Sequence, residues 1–126
     1  LDKALDFHKE DVETKLWESE NFDNYTLMLM GGWIEAANRI AWLIGQNYDA
    51  GRSSVLAQKG TFNHLLNNLK QISTPHIVEQ EAFLKAVALT EELKEIIDND
   101  TNNTYTKEQL SQIVTKTDEI KAAFQE

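Results

Sequence analysis

The sequence predicts an all-α fold, an antiparallel bundle of four to five helices around a central apolar helix at about residues 23–47. The 126 residues include one proline and five glycines, so little in the chain interrupts a helix. The alternation of apolar and polar residues that is typical of strands is nowhere sustained. The polar stretches between the predicted helices are short, which favours antiparallel neighbours.

Length and composition set limits on the class of protein. A chain of 126 residues is expected to form one domain, residues 1–126, with a core that needs no disulfide. It contains no cysteine, which excludes cysteine catalysis, zinc-thiolate sites and thiol redox chemistry. Because the chain begins with Leu1 rather than Met, we expect a fragment of a longer precursor, with any signal peptide or anchor upstream.

The charge of the chain argues against two classes of partner. The 12 basic residues are scattered among 21 acidic ones, for a net charge of −9, so we expect no nucleic-acid partner. The same charge weakens attraction to anionic lipid. The longest uninterrupted apolar run, residues 27–34, is too short to cross a bilayer, so we expect no transmembrane segment in this chain.

Two helices are predicted before residue 48. The first, residues 2–18, is a surface helix with one apolar side, formed by Leu1, Leu5, His8, Val12 and Leu16. The second, residues 23–47, can be capped by Asn21 or Asp23. Its polar side chains fall in one sector and every other direction is apolar, which predicts neighbouring helices on several sides.

The third and fourth helices are predicted at residues 53–72 and 75–98. The third directs inward Val55, Leu56, Phe62, Leu65, Leu66, Leu69 and Ile72, and Gly60 is its weak point. Ser73-Thr74-Pro75 starts the fourth, because Ser or Thr caps a helix and Pro suits its first turn. Its first half is apolar on two sides, with Ile77, Leu84, Val87 and Ala88 opposite Val78, Ala82, Ala86 and Leu89.

The last helix is predicted at residues 107–125, after a polar loop at residues 99–104. Thr106 and Gln109 have the spacing of a capping box. The apolar stripe of this helix is formed by Leu110, Ile113, Val114, Thr117, Ile120 and Phe124.

We find no catalytic constellation in the sequence and expect neither enzyme activity nor a resident cofactor. The three histidines, His8, His64 and His76, lie on different predicted helices, and no Glu-x-x-His pair of the di-iron type occurs. A Gly-rich phosphate loop and a recognisable nucleophile are also absent from the sequence.

The polar sector of the second helix is the first candidate site. In one hypothesis, a groove lined by Trp33 or Trp42 binds a ligand, with Glu35, Asn38 and Arg39 as its hydrogen-bonding groups. In the alternative, the sector faces solvent, Glu35 and Arg39 form an ion pair within the helix, and two glycines at residues 31–32 let another helix approach.

The loop before the last helix is the second candidate, because it resembles a degenerate EF-hand. The alternative calcium ligands are Asp98, Asp100, Asn102, Thr104 and Gln109. The loop departs from the pattern at Asn103, where Gly is expected, and at Gln109, where Glu is expected. Polar loops between helices are also rich in such residues for capping alone.

Three segments carry a resemblance to a known group: Met-Gly-Gly-Trp-Ile-Glu-Ala-Ala at residues 30–37, the stretch at residues 55–69, and Thr-Lys-Glu-Gln-Leu at residues 106–110. Over about residues 25–125, the chain is similar to small helical lipoproteins from the envelopes of Gram-negative gut-type bacteria. That resemblance implies an exported bundle with a lipid anchor upstream of Leu1, and it transfers no catalytic residue. An aromatic residue often follows Ile-Glu-x in that group, whereas this chain has Ala36-Ala37-Asn38.

Together these observations predict a non-enzymatic binding or structural module of the bacterial cell envelope or periplasm. Its partner, an unidentified protein or small ligand, would contact the sector of Glu35, Asn38, Arg39 and Trp42. The alternative is a calcium-binding protein that uses residues 98–109.

Overall fold

The protein is an all-α bundle, as the sequence predicts. The computed structural model describes the backbone of residues 2–125 and the side chains of residue 18 and residues 20–125. In chain order the elements are α1 (Asp2–Gln46), α2 (Ala50–Ser53), a 3-10 turn (Ser54–Leu56), α3 (Lys59–Lys70), α4 (Pro75–Val78), α5 (Glu81–Asp98) and α6 (Lys107–Phe124).

Helix α1 is continuous over 45 residues, so the predicted division into helices at residues 2–18 and 23–47 is wrong. The intervening residues 19–22 include neither Gly nor Pro, and nothing there ends a helix. Asp23 lies inside α1 and does not cap it. The predicted inward stripe of the first segment, from Leu1 to Leu16, lies outside the described side chains.

Helix α1 runs antiparallel to both α6 and α3. Asn38 contacts Thr117, and Glu35, one turn earlier in α1, contacts Lys121, one turn later in α6. Against α3, the rings of Trp33 and Phe62 lie 4.7 Å apart, centre to centre. Helix α1 is about 67 Å long at 1.5 Å per residue, far longer than its neighbours.

Asp23 is a buried carboxylate on α1 that lies close to the turn before α4. Asp23 Oδ2 accepts hydrogen bonds from the backbone N–H of Ser73 (3.3 Å), the backbone N–H of Thr74 (3.1 Å) and the Thr74 hydroxyl (2.5 Å). Asp23 therefore fixes the turn before α4 against α1, and this long-range role explains why it does not end the helix.

The core lies between α1, α3, α5 and α6. Its largest fully buried side chains are Met30, Ile34, Phe62, Leu66, Leu69, Leu93, Ile97, Tyr105, Leu110, Ile113 and Ile120. The predicted stripe of the last helix is confirmed for Leu110, Ile113, Thr117 and Ile120, whereas Phe124 is exposed. The predicted capping box is also confirmed: Thr106 Oγ1 accepts from the backbone N–H of Gln109, and Gln109 Oε1 accepts from that of Thr106.

The predicted third helix is broken, because a short α2 and a 3-10 turn precede α3. Asp49 caps α2 by accepting from the backbone N–H groups of Gly51 and Arg52. The Ser53 hydroxyl accepts a hydrogen bond from the backbone N–H of Tyr105 at 2.8 Å, which fixes this turn against the start of α6. Val55, predicted to point inward, is exposed as a result, and Gly60 lies in the first turn of α3 rather than at mid-helix.

The predicted fourth helix is divided as well, into α4 and α5, with extended backbone at Gln80 (φ −78°, ψ 132°). The turn allows Ile77 of α4 and Phe83 of α5 to enter the same core, and both are buried. Leu84, predicted to be buried, is exposed. None of the helices in the described part of the chain combines the length and the hydropathy needed to cross a bilayer.

Candidate functional site: the outward face of α1

Glu35, the first residue of the predicted sector, joins two helices. Its Oε1 lies 2.7 Å from Arg39 Nε and its Oε2 lies 2.9 Å from Lys121 Nζ on α6. The hydrogen bond from Lys121, followed by that from Arg39, holds the pKa of the Glu35 carboxyl below its ordinary value. Glu35 is therefore an ionised bridge between α1 and α6.

Asn38 is also committed to α6. Its Nδ2 lies 2.8 Å from Thr117 Oγ1, 2.9 Å from Asp118 Oδ1 and 3.3 Å from the carbonyl oxygen of Val114. An amide group has two N–H donors, so these acceptors already satisfy it. Asn38 holds the register of α1 against α6 and has no donor left for a ligand.

Arg39 and Trp42, the other two residues of the sector, are exposed on α1. A shallow depression of about 330 Å³ lies beside them, lined by Asn38, Arg39, Trp42 and Leu43. Since all four belong to one helix, the depression has a floor and no opposing wall. The structure thus brings the four predicted residues to one side of α1, where Glu35 and Asn38 are bonded to α6, Arg39 is exposed and paired with Glu35, and Trp42 is exposed.

A second cavity, of about 220 Å³, lies where α1 meets the start of α6. Its lining consists of Ala41, Trp42, Gly45, Gln46, Lys107, Ser111 and Val114. Pockets for small ligands usually have volumes of about 300–1,000 Å³ and enclose most of the ligand. This cavity has the size of a single protruding side chain, so its geometry suits a protein partner better than a free small molecule.

The described part of α1 has an exposed apolar surface that the sequence did not predict. We define the outward face of α1 as its exposed side, formed by Phe22, Tyr25, Met28, Leu29, Gly32, Ala36, Arg39, Trp42 and Leu43. The six large apolar side chains of this face are between 40% and 64% exposed. The prediction that neighbouring helices cover α1 on several sides is therefore wrong for this face. Hydropathy could not reveal it, since the same residues would suit a buried helix.

No close neighbour in the described part of the chain requires glycine at Gly31 or Gly32. A Cβ added at Gly31 or at Gly32 would meet no atom within 4 Å. Glycine within a helix costs about 1 kcal/mol relative to alanine. The expectation that these glycines admit another helix is not met by any element that the structure describes.

In the loop before α6, the predicted calcium ligands are engaged in other bonds. Asp98 Oδ2 lies 2.5 Å from Lys94 Nζ, and Asp100 Oδ1 lies 2.8 Å from Lys59 Nζ. Asp100 Oδ2 accepts from the backbone N–H of Asn103 at 2.8 Å, and the Lys59 hydrogen bond keeps the pKa of Asp100 below its ordinary value. Asp100 therefore holds the loop, whereas Asp98 is paired within the last turn of α5.

The remaining loop ligands shape its backbone. Thr104 Oγ1 donates to the carbonyl of Thr101, and Gln109 Nε2 donates to that of Asn99. Asn102 and Asn103 adopt positive φ angles of 51° and 62°, which asparagine tolerates better than most residues. Among the described residues, no three His, Cys, Asp or Glu side chains form a group that could hold a metal ion. Calcium binding stays a prediction.

Comparison of the chain with protein-family models, with curated proteins and with solved structures gives no match.

Proposed function

We propose that this chain is a non-enzymatic module of the bacterial cell envelope that binds a protein through the outward face of α1. One observation carries the proposal: six large apolar side chains lie exposed on one side of one helix. Exposed apolar patches of a few hundred Å² on a soluble domain mark interaction sites more often than scattered apolar residues do. Arg39 and Trp42, from the predicted sector, belong to this face.

The kind of partner follows from the shape of the face. Its depressions are open, and Glu35 and Asn38, which would orient a small polar ligand, are bonded to α6. A convex row of apolar side chains with aromatic and arginine residues at its edge resembles the composition of protein interfaces. We therefore infer a protein partner, which can cover the face and insert a side chain beside Trp42.

The envelope location has a different support, the resemblance of residues 25–125 to small helical envelope lipoproteins. The non-enzymatic assignment is supported by the sequence, which offers no nucleophile or phosphate-loop context. The assignment of the outward face as a binding surface depends neither on the envelope location nor on the absence of enzyme activity.

Site-specific photo-crosslinking in the cells that make the protein tests the binding face. The photoreactive residue p-benzoylphenylalanine is placed at Leu43 on the outward face and, as a matched control, at Gln112, an exposed position of α6. We expect light-dependent crosslinked products from position 43 and few or none from position 112. Equal yields at the two positions, or none at either, would contradict the proposed function.

A further inference from the structure

We propose that the occupant of the outward face of α1 is a second copy of this chain, packed with its α1 antiparallel in a two-fold symmetric dimer. This inference rests on the proposed function, because it names the partner of the same face. It follows from the area of the face, from where its charge lies and from the spacing of its residues.

The area of the face is sufficient for a dimer. Phe22, Tyr25 and Trp42 are each about half exposed and together present roughly 300 Å², if an aromatic side chain buries about 150–250 Å². Met28, Leu29 and Leu43 add their exposed parts. A stable interface of standard size buries about 800 Å² on each partner. Gly32, Ala36 and Arg39 are exposed on the same face and add to this area.

The distribution of charge favours a second copy over a charged partner. The chain has a net charge of −9, yet residues 21–47 include only three charged residues, Asp23, Glu35 and Arg39. Asp23 is buried, and Glu35 is bonded to Arg39. Between Phe22 and Leu43 the face has little net charge, and Glu18 lies beside Phe22 and Tyr25 at its N-terminal end. Two such faces can meet while most of the acidic surface of both copies points away. Anionic lipid would be repelled by the chain as a whole.

The spacing of the face is self-complementary when one helix is reversed. With the two-fold axis opposite residue 34, Tyr25 faces Leu43 of the other copy, Leu29 faces Arg39, and Gly32 faces Ala36. These three pairs lie within one face, as an isologous contact requires, whereas Phe22, Met28 and Trp42 fall opposite Gln46, the half-buried Ile40 and the buried Thr26. A parallel arrangement would instead place each residue opposite its own counterpart, so Gly32 and Ala36 would no longer face each other.

The antiparallel arrangement explains why residue 32, at the centre of the contact, is a glycine. A Cβ at Gly32 would meet nothing in its own chain, so the monomer gains nothing from a glycine there. Opposite Ala36, however, glycine allows the two backbones to approach closely. The smallest residues of the face thus lie where the two helices would cross.

Sedimentation equilibrium of the purified chain across a wide range of protein concentration, from low to high micromolar, is the first test. We expect a reversible monomer–dimer equilibrium. Ala36→Arg should raise the dissociation constant by at least about tenfold, because it forces a charge into an apolar contact. Gln112→Arg on α6 makes the same charge change and should alter it less than about twofold. A wild-type chain that is monomeric throughout, or equal effects of the two variants, would overturn the proposal.

Disulfide trapping tests the orientation, since the chain has no cysteine of its own. Separate Tyr25→Cys and Leu43→Cys proteins are mixed and oxidised. The antiparallel arrangement predicts that the mixed disulfide forms faster than either symmetric one, and faster symmetric disulfides would overturn it. If the chain is monomeric but crosslinks to another protein from position 43 in cells, the dimer is wrong and the proposed function stands. If no crosslink forms at position 43, the proposed function itself fails.

Discussion

A single buried carboxylate, that of Asp23, joins two parts of this fold that are distant in the sequence. It is a polar residue inside a long helix, 4% exposed, and it accepts three hydrogen bonds from Ser73 and Thr74. These bonds attach residues 73–74 to α1. The position of α4 thus depends on a side chain about fifty residues away in the chain, together with the burial of Ile77 in the core.

Removal of this carboxylate should destabilise the protein. Asp23→Ala leaves the Ser73 and Thr74 donors without their acceptor, and we expect a loss of about 2–3 kcal/mol in the free energy of unfolding. The measurement is urea denaturation followed by circular dichroism. Asn24→Ala, at an exposed position of the same helix, is the control and should change the stability by less than about 0.5 kcal/mol. Similar losses for the two variants would show that the Asp23 bonds contribute little.

Tyr105 gives the fold a dependence on alkaline pH. Burial raises the pKa of its phenol to about 12, and the carboxylates of Asp100 and Asp98 add to the shift. The neutral phenol donates to the carbonyl of Ile97 at 2.7 Å. In the unfolded chain the phenol ionises near its ordinary pKa of about 10. The stabilising effect is therefore fully present below pH 10 and is lost as the pH rises from about 10 to 12.

Denaturation series at pH 9 and pH 11 measure this effect. The wild-type protein should lose more stability over that interval than Tyr105→Phe, which has no phenol to titrate, while the lysines titrate alike in both. Equal losses would mean that Tyr105 ionises in the folded protein as it does in the unfolded chain.

At the scale of elements, the features set by local sequence could be predicted. The capping box at Thr106 and Gln109 depends on residues three positions apart, and the structure contains it. The helix breaks at residues 57–58 and 79–80 could not be predicted, because they depend on distant contacts. One is the Ser53–Tyr105 hydrogen bond, which joins segments 52 positions apart. The continuity of α1 is different, because residues 19–22 contain no helix-breaking residue and Asn21 and Asp23, residue types that often cap helices, are the only reason to divide it.

The candidate site was predicted in part for a related reason. Helical spacing places Glu35, Asn38, Arg39 and Trp42 on one side of α1, and they lie there. The sequence could not show that Glu35 and Asn38 are used by Lys121 and Thr117, since that requires the register of α1 against α6. The spacing of residues within one helix shows which side chains lie next to each other on that helix. Their contacts with other helices depend on how the bundle packs.

The loop between α5 and α6 provides a prediction for the same scale. Since Asp98 and Asp100 are paired with Lys94 and Lys59, we expect the loop to be formed without calcium. Thermal melts in EDTA and in millimolar calcium should then give the same midpoint. A bound ion at a hundred times its dissociation constant would instead stabilise the fold by about 2.7 kcal/mol. An upward shift that Asp98→Ala abolishes would contradict this expectation and make the loop a calcium site.

At the scale of the whole molecule, one ambiguity in the sequence has the largest consequence. A helix that is apolar in every direction except one polar sector predicts neighbouring helices on several sides. The bundle instead covers one side of α1 with α3 and α6 and leaves Tyr25, Met28 and Leu43 exposed. The hydropathy of these residues predicts that another surface covers them. It does not show whether that surface belongs to the same chain.

The free energy of unfolding of a Leu29→Gln, Leu43→Gln double variant, measured at low micromolar concentration, tests most directly that this face lies outside the core. Both positions are exposed, so we expect a change of less than about 1 kcal/mol. Leu66→Ala, at a buried position of α3, is the reference and should cost about 2–5 kcal/mol. A loss in the double variant as large as that of Leu66→Ala would show that the face is covered within its own chain, and would contradict the proposed binding function.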